Sequence, residues 1–262
     1  MIPREHGAWG MLLQSFAAGA ILARETGWLL LPALSLAVLG FMGKEPLVVV
    51  IRHRIFWGRR SPEAASALRV FLLEALAATA SLALLYPHVS KPALSGLAMA
   101  GLLVASAAVW LTAANRRRSI ALQLVSAAGL CLAAPLAVLA STGAISGWAW
   151  LLWALLAAHG AATILIVHAR LELRARARSA ARSRRTASLP QLASIALAGA
   201  VLAWRPWLAL PLGLSGIANL FEWRRLASTP GESLHRVGFR LLAVSIGHAI
   251  AAVACIDLIR GN

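Results

Sequence analysis

Two short stretches of an otherwise apolar chain carry clustered charge. "GKEPLVVVIRHR" holds Lys44, Glu45 and Arg52, and "VHARLELRAR" holds His168, Arg170 and Arg174. Ammonium and guanidinium groups in such surroundings can hold an anionic head group directly, by charge-assisted hydrogen bonds and with no metal bridge. His159, in "LLAAHGAATILIVHARLE", adds an imidazole on the same helix as Arg170. At the start of the chain Glu5 and His6 are adjacent. An imidazole beside a carboxylate titrates close to neutrality and suits proton exchange. The expectation is therefore a reactive pair, Glu5 and His6, and a binding set of Lys44, Glu45, Arg52, His159, His168, Arg170 and Arg174.

Membrane-crossing helices must position these residues. The chain of 262 residues is 60% hydrophobic and 13% charged, with a mean hydropathy of +0.76. A soluble domain sits nearer half apolar and a quarter charged. Apolar runs recur at the length needed to cross a ~30 Å hydrocarbon core, and a lipid-exposed backbone must satisfy its own hydrogen bonds as a helix. Nine spans are expected, at about residues 8–22, 28–51, 68–86, 92–114, 120–140, 148–167, 189–204, 207–221 and 237–259. The expected fold is an all-α polytopic membrane helix bundle, one transmembrane domain over residues 1–262. The first run does not read as a cleaved signal, because "LARETGW" lacks a small-x-small cleavage pattern. Cys131 and Cys255 lie inside apolar runs and read as buried thiols, with no disulfide framework or metal clasp.

The formal net charge of +16 is distributed by side. Of the 25 Lys and Arg residues, 21 fall on one set of alternating connections; only Arg24, Lys91, Arg205 and Arg260 fall on the other. The positive-inside rule then puts the N-terminus in the cytoplasm of a bacterial plasma membrane and the C-terminus outside. Topology and anionic lipid head groups account for the charge, so nucleic acid is not an expected partner. Seven tryptophans, among them Trp28, Trp57, Trp204 and Trp207, lie near span ends as an ordinary interfacial belt.

Ionisable residues inside spans are costly and are functional candidates by default. Lys44, Glu45, Glu74, His159, His168, Glu222 and His248, with the polar Asn219, lie in the cytoplasmic half or near mid-membrane. That placement predicts a polar cavity open to the cytoplasm. Ordinary roles stay open beside it. Lys44, Glu45 and Pro46 can mark a bent helix near the interface, and His159 and His248 can serve packing or hydrogen bonding between helices. Glu74 can pair with Arg69 or with one of Arg116, Arg117 and Arg118. The run from Arg170 to Arg185 can be a cytoplasmic helix extension, and Glu5 and His6 can cap the first helix behind Pro3. A metal site from Glu5, His6, His159 and His248 would lack any ligand pair at helical i, i+3 or i, i+4 spacing. No cofactor is expected.

"PREHGAWGMLLQSFAAG" resembles the N-terminal signature of the YwiC-like family of bacterial membrane proteins; Pro3, Arg4, Glu5, His6, Gly7, Ala8 and Trp9 match it residue for residue. The wider layout is similar to the UbiA-type prenyltransferase superfamily, with local echoes in "HGAWGMLL", "GRRSPEAASALRVFLL" and "GFRLLAVSIGHAIAAVACIDL". That second resemblance implies a UbiA-like topology of nine spans and an isoprenoid ligand. It also implies Asp-rich motifs on spans two and six that chelate magnesium. This chain departs there. Its one aspartate is Asp257, and cations stand where those carboxylates would be.

The resulting expectation is a membrane protein that binds an isoprenoid or other amphiphilic anion in a cytoplasm-facing cavity, with membrane lipids as its surroundings and with or without a transferase activity. A transporter or flippase, and a non-enzymatic partner or assembly factor acting through its Arg-rich loops, are the alternatives. Against the transporter stands the absence of paired Gly/Pro-broken spans in corresponding halves.

Overall fold

The computed structural model describes residues 6–59, 61–115, 119–175, 179–229 and 232–261, and every regular element among them is helical. In chain order these are α1 His6–Ala23, α2 Leu30–Met42, α3 Lys44–Ile51, a π-helical turn Arg52–Phe56, α4 Pro62–Leu85, α5 Lys91–Ala113 and α6 Ile120–Cys131. Then follow α7 Ala133–Thr142, α8 Gly147–Arg174, α9 Ala180–Leu202, α10 Pro206–Ser228 and α11 Leu234–Gly261. Among the described residues six helices are long and apolar enough to cross a membrane: Leu30–Phe56, α4, α5, Ile120–Thr142, α8 and α11. The chain is thus a multi-pass membrane protein. Of the other expected spans, Gly7–Ala23 is a shorter apolar helix. α9 opens on Arg182, Arg184 and Arg185, and α10 closes on Glu222, Arg224 and Arg225, so charged residues flank both apolar runs and leave them short.

Outward leucines agree with a lipid surround. On α4, Leu72, Leu73 and Leu76 are all more than half exposed, a display that water would not tolerate as a contiguous patch. Exposed Trp28, Trp57, Trp204 and Trp207 stand at helix ends, where an amphipathic ring is comfortable.

Two of the crossing helices are each divided into two α-helical stretches, at a similar feature. α2 gives way to α3 at Gly43 and α6 to α7 at Leu132, and both junction residues keep right-handed helical backbone (φ −58°, ψ −18° and φ −60°, ψ −14°). Pro46 and Pro135 stand three residues further on. Each lacks the N–H that would bond to the carbonyl four residues back, so one bond of the helical ladder is missing there while the backbone at Gly43 and Leu132 stays helical.

The chain divides into two compact units, residues 1–150 and 151–262, with the division in the first turns of α8. In the first unit α1 lies against α7, α2 and α3 against α4, and α5 against α3 and α6. Its core is Phe16, Ala33, Leu85, Leu94, Ala137 and Leu139 with their neighbours. The α1–α7 approach is close because Gly19 has no side chain: a Cβ there would overlap the Ala134 carbonyl. In the second unit α10 packs against α9 and α11. Gly216 serves α9 as Gly19 serves α7, since a Cβ on it would come within 2.7 Å of Ile195 Cγ1 and 3.0 Å of Gln191 O. Small residues at such crossings let helix backbones approach where no hydrophobic drive exists between helices in lipid. Cys131 and Cys255 are buried and free, as their apolar setting predicts.

Candidate functional site

In the first unit Lys44 and Glu45 open α3 as an adjacent pair, 3.8 Å apart and both partly buried. Arg52 begins the π-helical turn and donates from Nη2 to the Thr112 carbonyl, 3.0 Å away, in the last turn of α5. That carbonyl also accepts from Asn115 N at 3.2 Å, so the guanidinium adds a second donor at the end of α5. His53, beside it, lies 2.9 Å from Ser61 Oγ, while the same hydroxyl accepts from Ala64 N at 3.1 Å and caps α4. These groups are committed to the local architecture. Glu74 on α4 keeps Oε2 buried without a hydrogen-bond partner among the described residues. Glu5 lies outside the described residues, as do Arg116, Arg117 and Arg118; His6 contributes the first helical residue of α1, and its side chain is also outside the description.

In the second unit the expected binding residues His159, His168, Arg170 and Arg174 fall on one helix. α8 has 28 residues, roughly 42 Å at 1.5 Å per residue, which is longer than a hydrocarbon core. Arg170 and Arg174 therefore sit at its far end, beside the end of α10 and the start of α11. His168 turns away from the others to Glu172, one helical turn on, with Nε2 3.1 Å from Oε1; Ser183 of α9 also donates to that carboxylate. Of the basic run, Arg170 and Arg174 close α8 and Arg182, Arg184 and Arg185 open α9, while Arg176 and Arg178 lie outside the described residues.

Arg170 is the most deeply placed cation, 1% exposed. Its Nη1 donates to the Thr229 carbonyl at 3.0 Å and stands 3.5 Å from Glu232 Oε2. Nε and Nη2 are buried and have no partner among the described residues. These two atoms flank one edge of the planar guanidinium, the edge that matches the paired oxygens of a carboxylate or phosphate. Arg174 donates to the Glu232 backbone carbonyl.

Arg240 of α11 completes the cluster. It reaches Glu222 through Nε (2.6 Å) and Nη2 (3.0 Å), and Glu232 through Nη1 (2.5 Å) and Nη2 (2.8 Å). The result is a tetrad of Arg170, Arg240, Glu222 and Glu232. Hydrogen bonds from Arg240, and then the charges of Arg240, Arg225 and Arg170, hold the Glu232 carboxyl down to about 2 from its ordinary 4.5. The linkage follows in sign. A carboxylate held below its unfolded value stabilises the fold fully above about pH 4.5, and that contribution is lost as the pH falls toward about 2. A Glu232→Gln variant is expected to show a flatter melting-temperature profile than the parent between pH 5 and pH 3; parallel profiles would refute the role of this carboxylate.

Deeper in the same unit lie two stacked histidines. The rings of His159 and His248 are 4.6 Å apart and within 17° of parallel. His159 places Nδ1 2.6 Å from Ser215 Oγ on α10 and Nε2 2.9 Å from Ser245 Oγ on α11. His248 places Nδ1 3.1 Å from the Pro211 carbonyl and Nε2 3.2 Å from the Leu155 carbonyl. Asn219, fully buried, reaches Ser215 Oγ at 3.5 Å. The pair joins α8, α10 and α11 across their apolar interior, and its ring nitrogens already face serines and carbonyls. Among the described residues no three His, Cys, Asp or Glu side chains gather as a metal site.

The model of the YwiC-like protein family matches residues 2–138, more than half of the chain. The chain belongs to the YwiC-like family. The matched stretch contains the "PREHGAW" signature together with Lys44, Glu45 and Arg52, and it ends inside α7. The Arg170 cluster and the histidine pair lie beyond it. No curated protein matches this YwiC-like chain.

The reading from sequence misses Ser215, Ser245, Glu232 and Arg240 as site residues. One signal was present: Ser215, Asn219 and Glu222 recur at i, i+4 and i+7 on α10, a polar stripe on one helix face.

Proposed function

We propose that this YwiC-like protein crosses a bacterial plasma membrane nine times, with α1, α9 and α10 joining the six longer helices, a UbiA-like topology and a cytoplasmic N-terminus. It holds an amphiphilic anion at the cytoplasmic end of α8, with Arg170 as the direct ligand of the head group and no Asp-rich magnesium site. The observation that carries this reading is the bidentate edge of Arg170, buried and without a partner. Buried donors without partners are costly, and a bound oxyanion would satisfy both at once. Arg174 stands beside it to add charge at the rim, and Glu5 with His6 would exchange protons at the mouth of α1. The loop basicity supports the orientation.

Native mass spectrometry of the gently extracted protein tests this. A co-purifying anionic amphiphile is expected on the parent and on Lys44→Ala, and is expected to be lost from Arg170→Ala. Equal retention by Arg170→Ala would move the site elsewhere. No bound amphiphile on any of the three would favour the partner-protein reading.

A further inference from the structure

We infer that the head group carries one negative charge on a pair of oxygens, as in a carboxylate or a phosphodiester, and is not a diphosphate. This rests on the anion-binding reading of Arg170. Two observations support it, one of geometry and one of charge.

The geometry offers a single fork. Arg170 spends its Nη1 on Thr229 O and Glu232, which leaves Nε and Nη2 as one two-donor edge. Arg240 has no comparable edge to give, since all three of its nitrogens are taken by the four oxygens of Glu222 and Glu232. One fork matches one pair of oxygens. A diphosphate presents two phosphoryl groups and calls for several cations or a divalent metal to bridge them.

The charges give the same answer. The tetrad has two guanidiniums and two carboxylates, with Glu222 and Glu232 only 6% and 11% exposed, so it is already balanced. Arg174 bonds the Glu232 carbonyl and Arg225 acts on the Glu232 carboxylate from the rim. These two further cations suffice for a monoanion and fall short of the charge of a fully ionised diphosphate. A diphosphate would bring several charges next to two carboxylates in a partly dehydrated site, where like charges repel strongly.

The test compares three probes on the full-length protein in a neutral detergent: dodecanoate, a twelve-carbon lysophosphatidylglycerol and farnesyl diphosphate. At least one of the two monoanions is expected to bind about tenfold more tightly than the diphosphate and to lose about tenfold in Arg170→Gln. Which monoanion binds separates a carboxylate ligand from a phosphodiester lipid. Glu232→Gln removes one repelling charge and is expected to narrow the gap between diphosphate and monoanion by about fivefold; Glu222→Gln gives the same readout if the first variant folds poorly. A diphosphate that binds most tightly and is lost in Arg170→Gln would overturn the charge class while leaving the Arg170 site standing. Binding of every probe unchanged by Arg170→Gln would overturn both. A gap that neither Glu variant alters would overturn the charge argument.

Discussion

Arg240→Ala is expected to cost about 3 kcal/mol of stability, more than any single change at the rim of the cluster. The arginine makes four charge-assisted hydrogen bonds to two carboxylates, and its removal leaves Glu222, 5% exposed, beside no other cation within bonding distance among the described residues. Most of the loss comes from the stranded carboxylate and not from the missing contact. Two further variants separate these terms. Arg240→Lys keeps the charge but loses the fork, and should recover less than half. Arg240→Ala combined with Glu222→Gln removes the stranded charge and should recover more than Arg240→Lys does. Thermal unfolding in detergent reads all three. A single Arg240→Ala change within about 0.5 kcal/mol of the parent would mean that the tetrad holds nothing together.

The second large effect belongs to His159. Its replacement by alanine leaves the Ser215 and Ser245 hydroxyls facing a buried void, and removes the ring on which His248 stacks. The cavity and the loss of two hydrogen bonds to the ring together are expected to cost about 3 kcal/mol. His159→Gln keeps a donor and an acceptor at a similar reach and should recover about half of that. His159→Phe fills the volume but satisfies neither serine. If phenylalanine restores stability as fully as glutamine, packing alone explains the residue and the hydrogen bonds to α10 and α11 contribute little.

The helices were legible because apolar length and backbone satisfaction in lipid leave no other choice. The break at Gly43 was legible through Pro46. The matching break at Leu132 was not, since "LCLAAPLAVLA" is apolar on both sides of Pro135 and hydropathy runs straight through it. At the cluster, Arg170 and Arg174 stand out as cations at the end of an apolar run. Arg240 and Glu232 do not. Arg240 counts as one more positive charge near a cytoplasmic helix start, and Glu232 sits in a polar loop where a carboxylate needs no explanation. Only tertiary folding brings them to Arg170, which precedes them by 62 and 70 residues. Ser215 and Ser245 are quieter still, because a lone serine in a membrane helix is common and gains meaning only from its partner.

The wiring of His159 has a consequence for how the protein is made. Its two serine partners follow it in the chain by 56 and 86 residues. On the ribosome α8 is complete before either partner has been translated, so the nascent chain carries an imidazole with no tertiary partner on offer. Water at the translocon or the helix's own backbone must serve that ring until α10 and then α11 are delivered. Assembly of the second unit is therefore finished by its last helix, and a ribosome that stalls before Ser245 leaves an incomplete polar junction inside the membrane.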